Sequence, residues 1–219
     1  MLNCNDNFGE NVNRITNKEA HQITTLLFDV GGVLLTDFIE TKVINLAEKY
    51  HVNSEILLKA KHKYRPLADK GQISDVDFWR RVLETVEVNA TEIDCNFDSY
   101  MQEIPGGLEI ARKAKRCGYK IAILSNDTKE MSEQRRLKYG FDALFEKVII
   151  SCFYGVIKPD PKIYEIAMQE LCVNPIHCIF IDDREENVQA GQDKGIHSIL
   201  FKNSVQASNQ LKKIGIALA

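Results

Sequence analysis

Thr24-Thr25-Leu26-Leu27-Phe28-Asp29-Val30-Gly31-Gly32 is an apolar, β-prone run that ends in a carboxylate and two glycines. Consecutive positions are apolar rather than alternate ones, so the run reads as a strand buried on both faces, the kind found inside a parallel sheet. Working outward, Pro105-Gly106 resets the pattern, and beyond it helices and strands alternate. Leu108, Ala111 and Ala114 stripe a helix that ends at Gly118, and Tyr119 to Leu124 reads as a strand. A helix over Lys129–Tyr139 and a strand over Lys147–Cys152 follow. Asp160-Pro161 opens the next helix, with Asp as cap and Pro at the first helical position. Its stripe is Ile163, Ile166, Ala167 and Leu171. A strand over Cys178–Ile181, a helix over Glu186–Lys194 stopped by Gly195, a strand over Ile196–Phe201 and a last helix complete the chain. This alternation predicts an α/β fold: a doubly wound, parallel, Rossmann-like sheet of five or more strands.

Between the first strand and Pro105 no good strand pattern occurs. Val43, Ile44, Leu46 and Ala47 form one helical stripe, and Ile56, Leu57 and Ala60 a second. Ser74 can cap a third helix, with Asp77 three residues on, whose stripe is Phe78, Trp79, Val82, Leu83 and Val86. The expected organisation is a core of residues 21–36 and 102–219, a helical-bundle cap inserted over 37–101, and an Asn-rich polar extension over 1–20.

A chain of 219 residues can bury roughly 70% of the surface its unfolded form exposes, so a large core needs no staples. A net charge of -3 gives no basic footprint for nucleic acid. The six cysteines include no CxxC pair and read as reduced thiols. Neither a signal sequence nor a spanning run of apolar residues is evident. The expectation is a cytoplasmic protein without nucleic-acid or membrane partners, a monomer or weak homodimer, acting on a small phosphorylated metabolite.

That last expectation comes from the strand ends. In open parallel sheets the ligand sits beyond the carboxyl ends of the strands. Asp29, Ser125-Asn126, the loop leading to Lys158, and Asp182-Asp183 occupy those positions. A carboxylate can attack phosphorus and carry an acyl phosphate. Repulsion between two anions is offset by a lysine, hydroxyl or amide donors, and Mg²⁺ held by one or two carboxylates. The basic run Lys59, Lys61, His62, Lys63 and Arg65 reads mainly as a solvated face, with a cap-borne phosphate contact as the sharper alternative.

Four segments, Phe28-Asp29-Val30-Gly31-Gly32-Val33-Leu34, Ile123-Leu124-Ser125-Asn126, Lys158-Pro159-Asp160-Pro161 and Phe180-Ile181-Asp182-Asp183-Arg184-Glu185-Glu186-Asn187, resemble in order the four motifs of the haloacid-dehalogenase superfamily. The insert resembles the small helical cap of the subfamily. Gly71 to Trp79 resembles the cap of bacterial sugar-phosphate phosphatases and of the phosphatase-like domain of soluble epoxide hydrolases. The resemblance implies a Mg²⁺-dependent phosphatase with Asp29 as nucleophile and metal ligand and the Gly31 carbonyl as a backbone ligand. It implies that Ser125, Asn126, Lys158 and Gly32 meet the substrate, with Ser125 and Lys158 also catalytic. Asp183 would be the acidic metal ligand, Asp182 a direct or water-mediated one, and Asn187 would orient bound water. One departure stands out. Most phosphatases of the superfamily carry an acid–base Asp two positions after the nucleophile, and here that position is Gly31. The alternatives it leaves are a catalytically weak or inactive phosphometabolite-binding protein and a 2-haloacid dehalogenase, which needs neither that Asp nor Mg²⁺.

Overall fold

The computed structural model describes residues 23–90 and 92–218; the expected extension over 1–20 lies outside them. Strands β1 (Thr25–Phe28), β2 (Lys120–Ser125), β3 (Lys147–Ile150), β4 (Cys178–Asp182) and β5 (His197–Leu200) form one parallel sheet in the order β3-β2-β1-β4-β5. The double apolarity of the strands is resolved by alternation. Leu26, Phe28, Ile121, Ile123, Ile179 and Ile181 face a cluster completed by helices α4 (Gly107–Arg116) and α9 (Ser204–Lys213). Leu27, Ala122, Leu124 and Phe180 face the opposite cluster, completed by α7 (Pro161–Leu171). This is the expected doubly wound α/β sheet. The chain runs outward from β1 to β3, then returns to place β4 on the other side of β1. The order therefore reverses between β1 and β4, where a crevice opens beyond the strand ends.

Two elements differ from expectation. β3 stops at Ile150, and Ser151–Phe153 form a short 3₁₀ turn in place of strand residues. Ser151 explains the stop. Its buried hydroxyl donates to the Asp69 carbonyl at 2.6 Å and accepts from the Asp127 amide at 3.0 Å. The second is a four-residue helix, α6 (Phe141–Leu144), after Gly140 ends α5 (Lys129–Tyr139) in a left-handed conformation.

The insert consists of α1 (Ile39–Tyr50), α2 (Ser54–Asp69) and α3 (Asp75–Glu84). Ser74 caps α3 as read from the sequence, accepting from the Asp77 amide at 3.1 Å. Phe38, Val43, Leu57, Phe78, Trp79, Val82 and Phe97 form its own apolar cluster, which reaches Met131 on α5. Phe78 and Trp79 are core. The two other stripes are rotated from the expected ones. Ile44 and Ile56 are 45% and 44% exposed, while Lys42 is buried. The Lys42 stem lies in the apolar layer, its ammonium donates to the Asp94 carbonyl at 2.6 Å, and the Phe97 ring centroid is 4.6 Å away. The chain leaves and re-enters the sheet layer side by side: Thr36 N donates to Gln102 O at 2.9 Å and Ile104 N to Leu34 O at 3.0 Å.

Candidate active site

The register of the central strands builds the site. Phe28 pairs with Ile181, and the Asp29 amide donates to the Ile181 carbonyl at 2.9 Å. Asp29 and Asp182 thus emerge side by side at the point where the strand order reverses. On the other flank Ser125 ends β2, 2% exposed. The loop after β3 brings in Lys158, whose position is set by Asn126. The Asn126 amide group donates to Lys158 O at 2.9 Å, and its carbonyl oxygen accepts from Lys158 N at 2.8 Å. This two-way clamp uses the Asn126 carbonyl oxygen and one of its two Nδ2 protons, so Asn126 positions Lys158 while it lines the cavity.

The Lys158 ammonium is 2% exposed and surrounded by acceptors: Asp29 Oδ1 at 2.9 Å, Asp182 Oδ2 at 2.7 Å and the Leu124 carbonyl at 2.9 Å. Burial works against its charge, but Asp182 and Asp29 outweigh burial and hold its pKa above the ordinary lysine value. Asp182 is fully buried, and its carboxylate also accepts from the Arg184 amide at 2.9 Å and from Asn187 Nδ2 at 3.0 and 3.1 Å. Burial would raise its pKa, yet Lys158 and these hydrogen bonds hold it below the usual carboxylate range. Asp29 shifts the other way. Burial raises it most, Lys158 opposes that, and the neighbouring Asp182 and Asp183 raise it further. Asp183 is also raised, by burial and by Asp182.

These shifts describe a charge imbalance. Three carboxylates, Asp29, Asp182 and Asp183, bring oxygens within 4.8 Å of one another, with Lys158 as the ammonium among them. The surplus is two negative charges, and a divalent cation among those oxygens would remove it. Two further features fit a hydrated cation. Asn187 Oδ1 is buried without a partner among the described residues, an acceptor that a bound water would satisfy. Gly32 has φ +75°, and a Cβ there would overlap the Asp183 carboxylate, so the glycine keeps Asp183 close to the crevice. The expected substrate contact through Gly32 is not what the backbone shows: the Gly32 amide donates to the Leu35 carbonyl at 2.8 Å, and clearance is its evident role. At Gly31 a Cβ would meet nothing within 4 Å.

A cavity of about 140 Å³ unites these groups: Asp29, Gly31, Ser125, Asn126, Lys158, Asp183 and Asn187 all line it. The insert closes it with Lys61, Arg65 and Asp69 from α2, and α5 adds Arg135. Of these only Lys61 and Arg65 were signalled in the sequence, as members of the basic run. Their spacing of four puts them on one helical face, but no pattern along α2 indicates that this face looks into the crevice.

A family model described as haloacid dehalogenase-like hydrolase matches residues 23–195. Among curated proteins, the chain is 24% identical to mouse acyl-CoA dehydrogenase family member 10, an alignment covering 92% of this chain and 20% of that protein. It is 30% identical over 115 residues to glyceraldehyde 3-phosphate phosphatase of Pyrococcus furiosus, covering 52% of this chain and 48% of that one. The chain thus spans under half the length of either relative. Among solved structures, a HAD family enzyme of Bacteroides thetaiotaomicron in complex with magnesium and inorganic phosphate superposes with a TM-score of 0.66 at 23% identity, covering 83% of this chain and 95% of that one.

Proposed function

Because the chain belongs to the haloacid dehalogenase-like hydrolases, we propose that it is a Mg²⁺-dependent phosphatase that hydrolyses a small phosphomonoester through an aspartyl phosphate on Asp29. The observation that carries this reading is the convergence of the Asp29, Asp182 and Asp183 oxygens within 4.8 Å, with the Lys158 ammonium 2.9 Å from Asp29. A relative named as a glyceraldehyde 3-phosphate phosphatase and a structural neighbour holding magnesium and phosphate agree with it.

In this mechanism an Asp29 oxygen attacks phosphorus and the bond from phosphorus to the alcohol oxygen breaks. The departing oxygen takes up a proton, and the phosphoryl group rests on Asp29 as an acyl phosphate. Water then cleaves that anhydride, releasing inorganic phosphate and regenerating the carboxylate. Lys158, fixed by three acceptors and by the Asn126 clamp, favours the ionised form of Asp29 against the burial that raises its pKa, and offsets charge on the phosphoryl oxygens. The Ser125 hydroxyl donates to one of those oxygens. Mg²⁺, when bound, supplies the remaining positive charge. Asp29, Asp183 and the Gly31 carbonyl would hold it directly. Asp182, whose oxygens are already engaged by Lys158, Arg184 and Asn187, would act through water, and Asn187 Oδ1 would accept from a bound water. Residues 37–101 serve as the cap over the site in this reading, and residues 21–36 with 102–219 as the catalytic core.

Phosphate release from p-nitrophenyl phosphate and a panel of small esters tests the reading. Release should require Mg²⁺, stop on chelation and resume when the metal is restored. Metal-independent chloride release from a 2-haloacid, with no phosphate from any ester, would replace it with the dehalogenase alternative.

The Gly32 geometry yields a second check. In Gly32→Ala a methyl group competes with the Asp183 carboxylate for space, at a backbone angle that costs a non-glycine residue ~1–2 kcal/mol. Mg²⁺ affinity, read by titration calorimetry, should weaken by ~10–100-fold, the usual scale for disturbing a metal's surroundings. Unchanged affinity would remove Asp183 from the ligand set.

A further inference from the structure

Around the cavity, the side facing the insert carries Lys61, Arg65 and Arg135 together with the carboxylates Asp37 and Asp69, and Asp127 pairs with both arginines. Ion pairing accounts for only part of their hydrogen-bonding capacity. Arg65 places one terminal nitrogen 2.8 Å from Asp69 and 3.6 Å from Asp127, and Arg135 reaches Asp127 at 2.7 Å. Through Asp127, which both arginines share, these contacts tie α2 to α5 and account for the burial of Arg135. Among the described residues, Arg65 Nη1 and Arg135 Nε are buried with no acceptor. Such orphaned donors cost ~1–3 kcal/mol each and are rare without a ligand or water to satisfy them. Lys61, one helical turn before Arg65, has a single partner, Glu40 at 3.1 Å, which is itself largely exposed. Its side chain is otherwise mostly shielded, at 13% exposure. Hence Lys61 and Arg65 line the same small space as Asp29 and Lys158, from the opposite side.

Resting on the phosphatase reading, we propose that Lys61 and Arg65 bind a second anionic group of the substrate, a carboxylate, so that the preferred substrate is a short phosphorylated carboxylic acid. Two features select a carboxylate on a short chain. A guanidinium presents parallel N–H groups that match the two oxygens of a carboxylate. The cavity, at about 140 Å³, is under half of the ~300 Å³ at which pockets for drug-sized ligands begin, which disfavours nucleotides and long apolar esters. With the phosphoryl group at Asp29 and Lys158, a short linker suffices to reach α2.

The test compares phosphoglycolate with ethyl phosphate, two short esters that differ in the charged end, using p-nitrophenyl phosphate as a general substrate. The expected kcat/KM ratio favours phosphoglycolate by ~10–100-fold, the scale of a charge-assisted contact. That ratio should fall towards one in Arg65→Gln and in Lys61→Gln. The lysine variant removes only a contact to an exposed glutamate, so it remains informative if the arginine variant fails to fold. Equal handling of the two esters by the wild type, with p-nitrophenyl phosphate still hydrolysed, overturns this inference and leaves the phosphatase reading standing. A preference that survives both substitutions also overturns it. If no ester releases phosphate, the phosphatase reading fails, and calorimetric affinities of the two esters for Asp29→Asn in Mg²⁺ decide the second point separately. Tighter phosphoglycolate binding that Lys61→Gln weakens in that background supports the anion site; equal affinities reject it.

Discussion

Asp29→Asn is expected to reduce Mg²⁺-dependent phosphate release by ~10⁴-fold or more, the scale on which removal of an attacking group acts. The neutral amide oxygen lacks the charge and the nucleophilicity to form an acyl phosphate. The substitution is nearly isosteric, and the contacts that shape the site survive it. The Val30 amide, which donates to Asp29 Oδ1 at 2.6 Å, can donate to the asparagine oxygen. Lys158 keeps Asp182 at 2.7 Å and the Leu124 carbonyl at 2.9 Å, so it is not left as an unpaired buried charge. Circular dichroism and the melting transition should therefore stay close to wild type while turnover disappears. Rapid quenching with a labelled ester should leave label on the wild-type chain and none on the variant. A variant that retains wild-type turnover would show that the carboxylate at the end of β1 is not the nucleophile, and the aspartyl-phosphate mechanism would fall.

Much of this site is legible along the chain because it is built from strand ends. A parallel strand buried on two faces must be apolar until it leaves the sheet, so the first polar residue after each run marks the rim of the crevice. Asp29, Ser125 and Asp182 are found this way, and they meet because β1 lies between β2 and β4. What each side chain does there is less legible. Nothing in the pair Asp182-Asp183 says that the first is consumed by Lys158, Arg184 and Asn187 while the second stays exposed. That division follows from the last residue of a strand pointing into the layer and the next one turning out. Asn126 reads as a ligand donor, and nothing along the chain says that its side chain also clamps the backbone of Lys158, 32 residues later. The insert is the hardest region. Its stripes mark α1 and α2 as amphipathic, but a helical period does not say which edge of the stripe is covered. Lys42 goes inside against aromatic rings while Ile44 is left half exposed. The same indeterminacy hides Lys61 and Arg65 within a basic run whose other members face solvent.

Gly31→Asp is expected to increase turnover of esters with poor leaving groups, by up to the ~10²–10⁴-fold that a positioned general acid–base contributes. The argument begins with space. Gly31 has no left-handed backbone requirement, and a Cβ there meets nothing within 4 Å. It also lines the catalytic cavity, next but one to Asp29. The glycine is thus not forced by packing, in contrast to Gly32, whose missing Cβ makes room for Asp183. The Cβ of an aspartate at position 31 displaces no neighbour and the position lines the crevice, so its carboxyl group can give a proton to the departing oxygen in the first step and take one from the attacking water in the second. The gain should depend on the leaving group. An acyl or aryl phosphate departs without help and should change little, whereas an alkyl phosphate needs the proton and should change most. The ratio of alkyl to p-nitrophenyl phosphate turnover separates this effect from any general change in binding. A uniform effect on both esters, or none, would mean that another group already supplies the proton. Asp37 and Asp69, the other carboxylates on the cavity wall outside the metal cluster, would then be the residues to replace next. A rise confined to alkyl esters would instead show that the wild type works without a positioned proton donor in the first step.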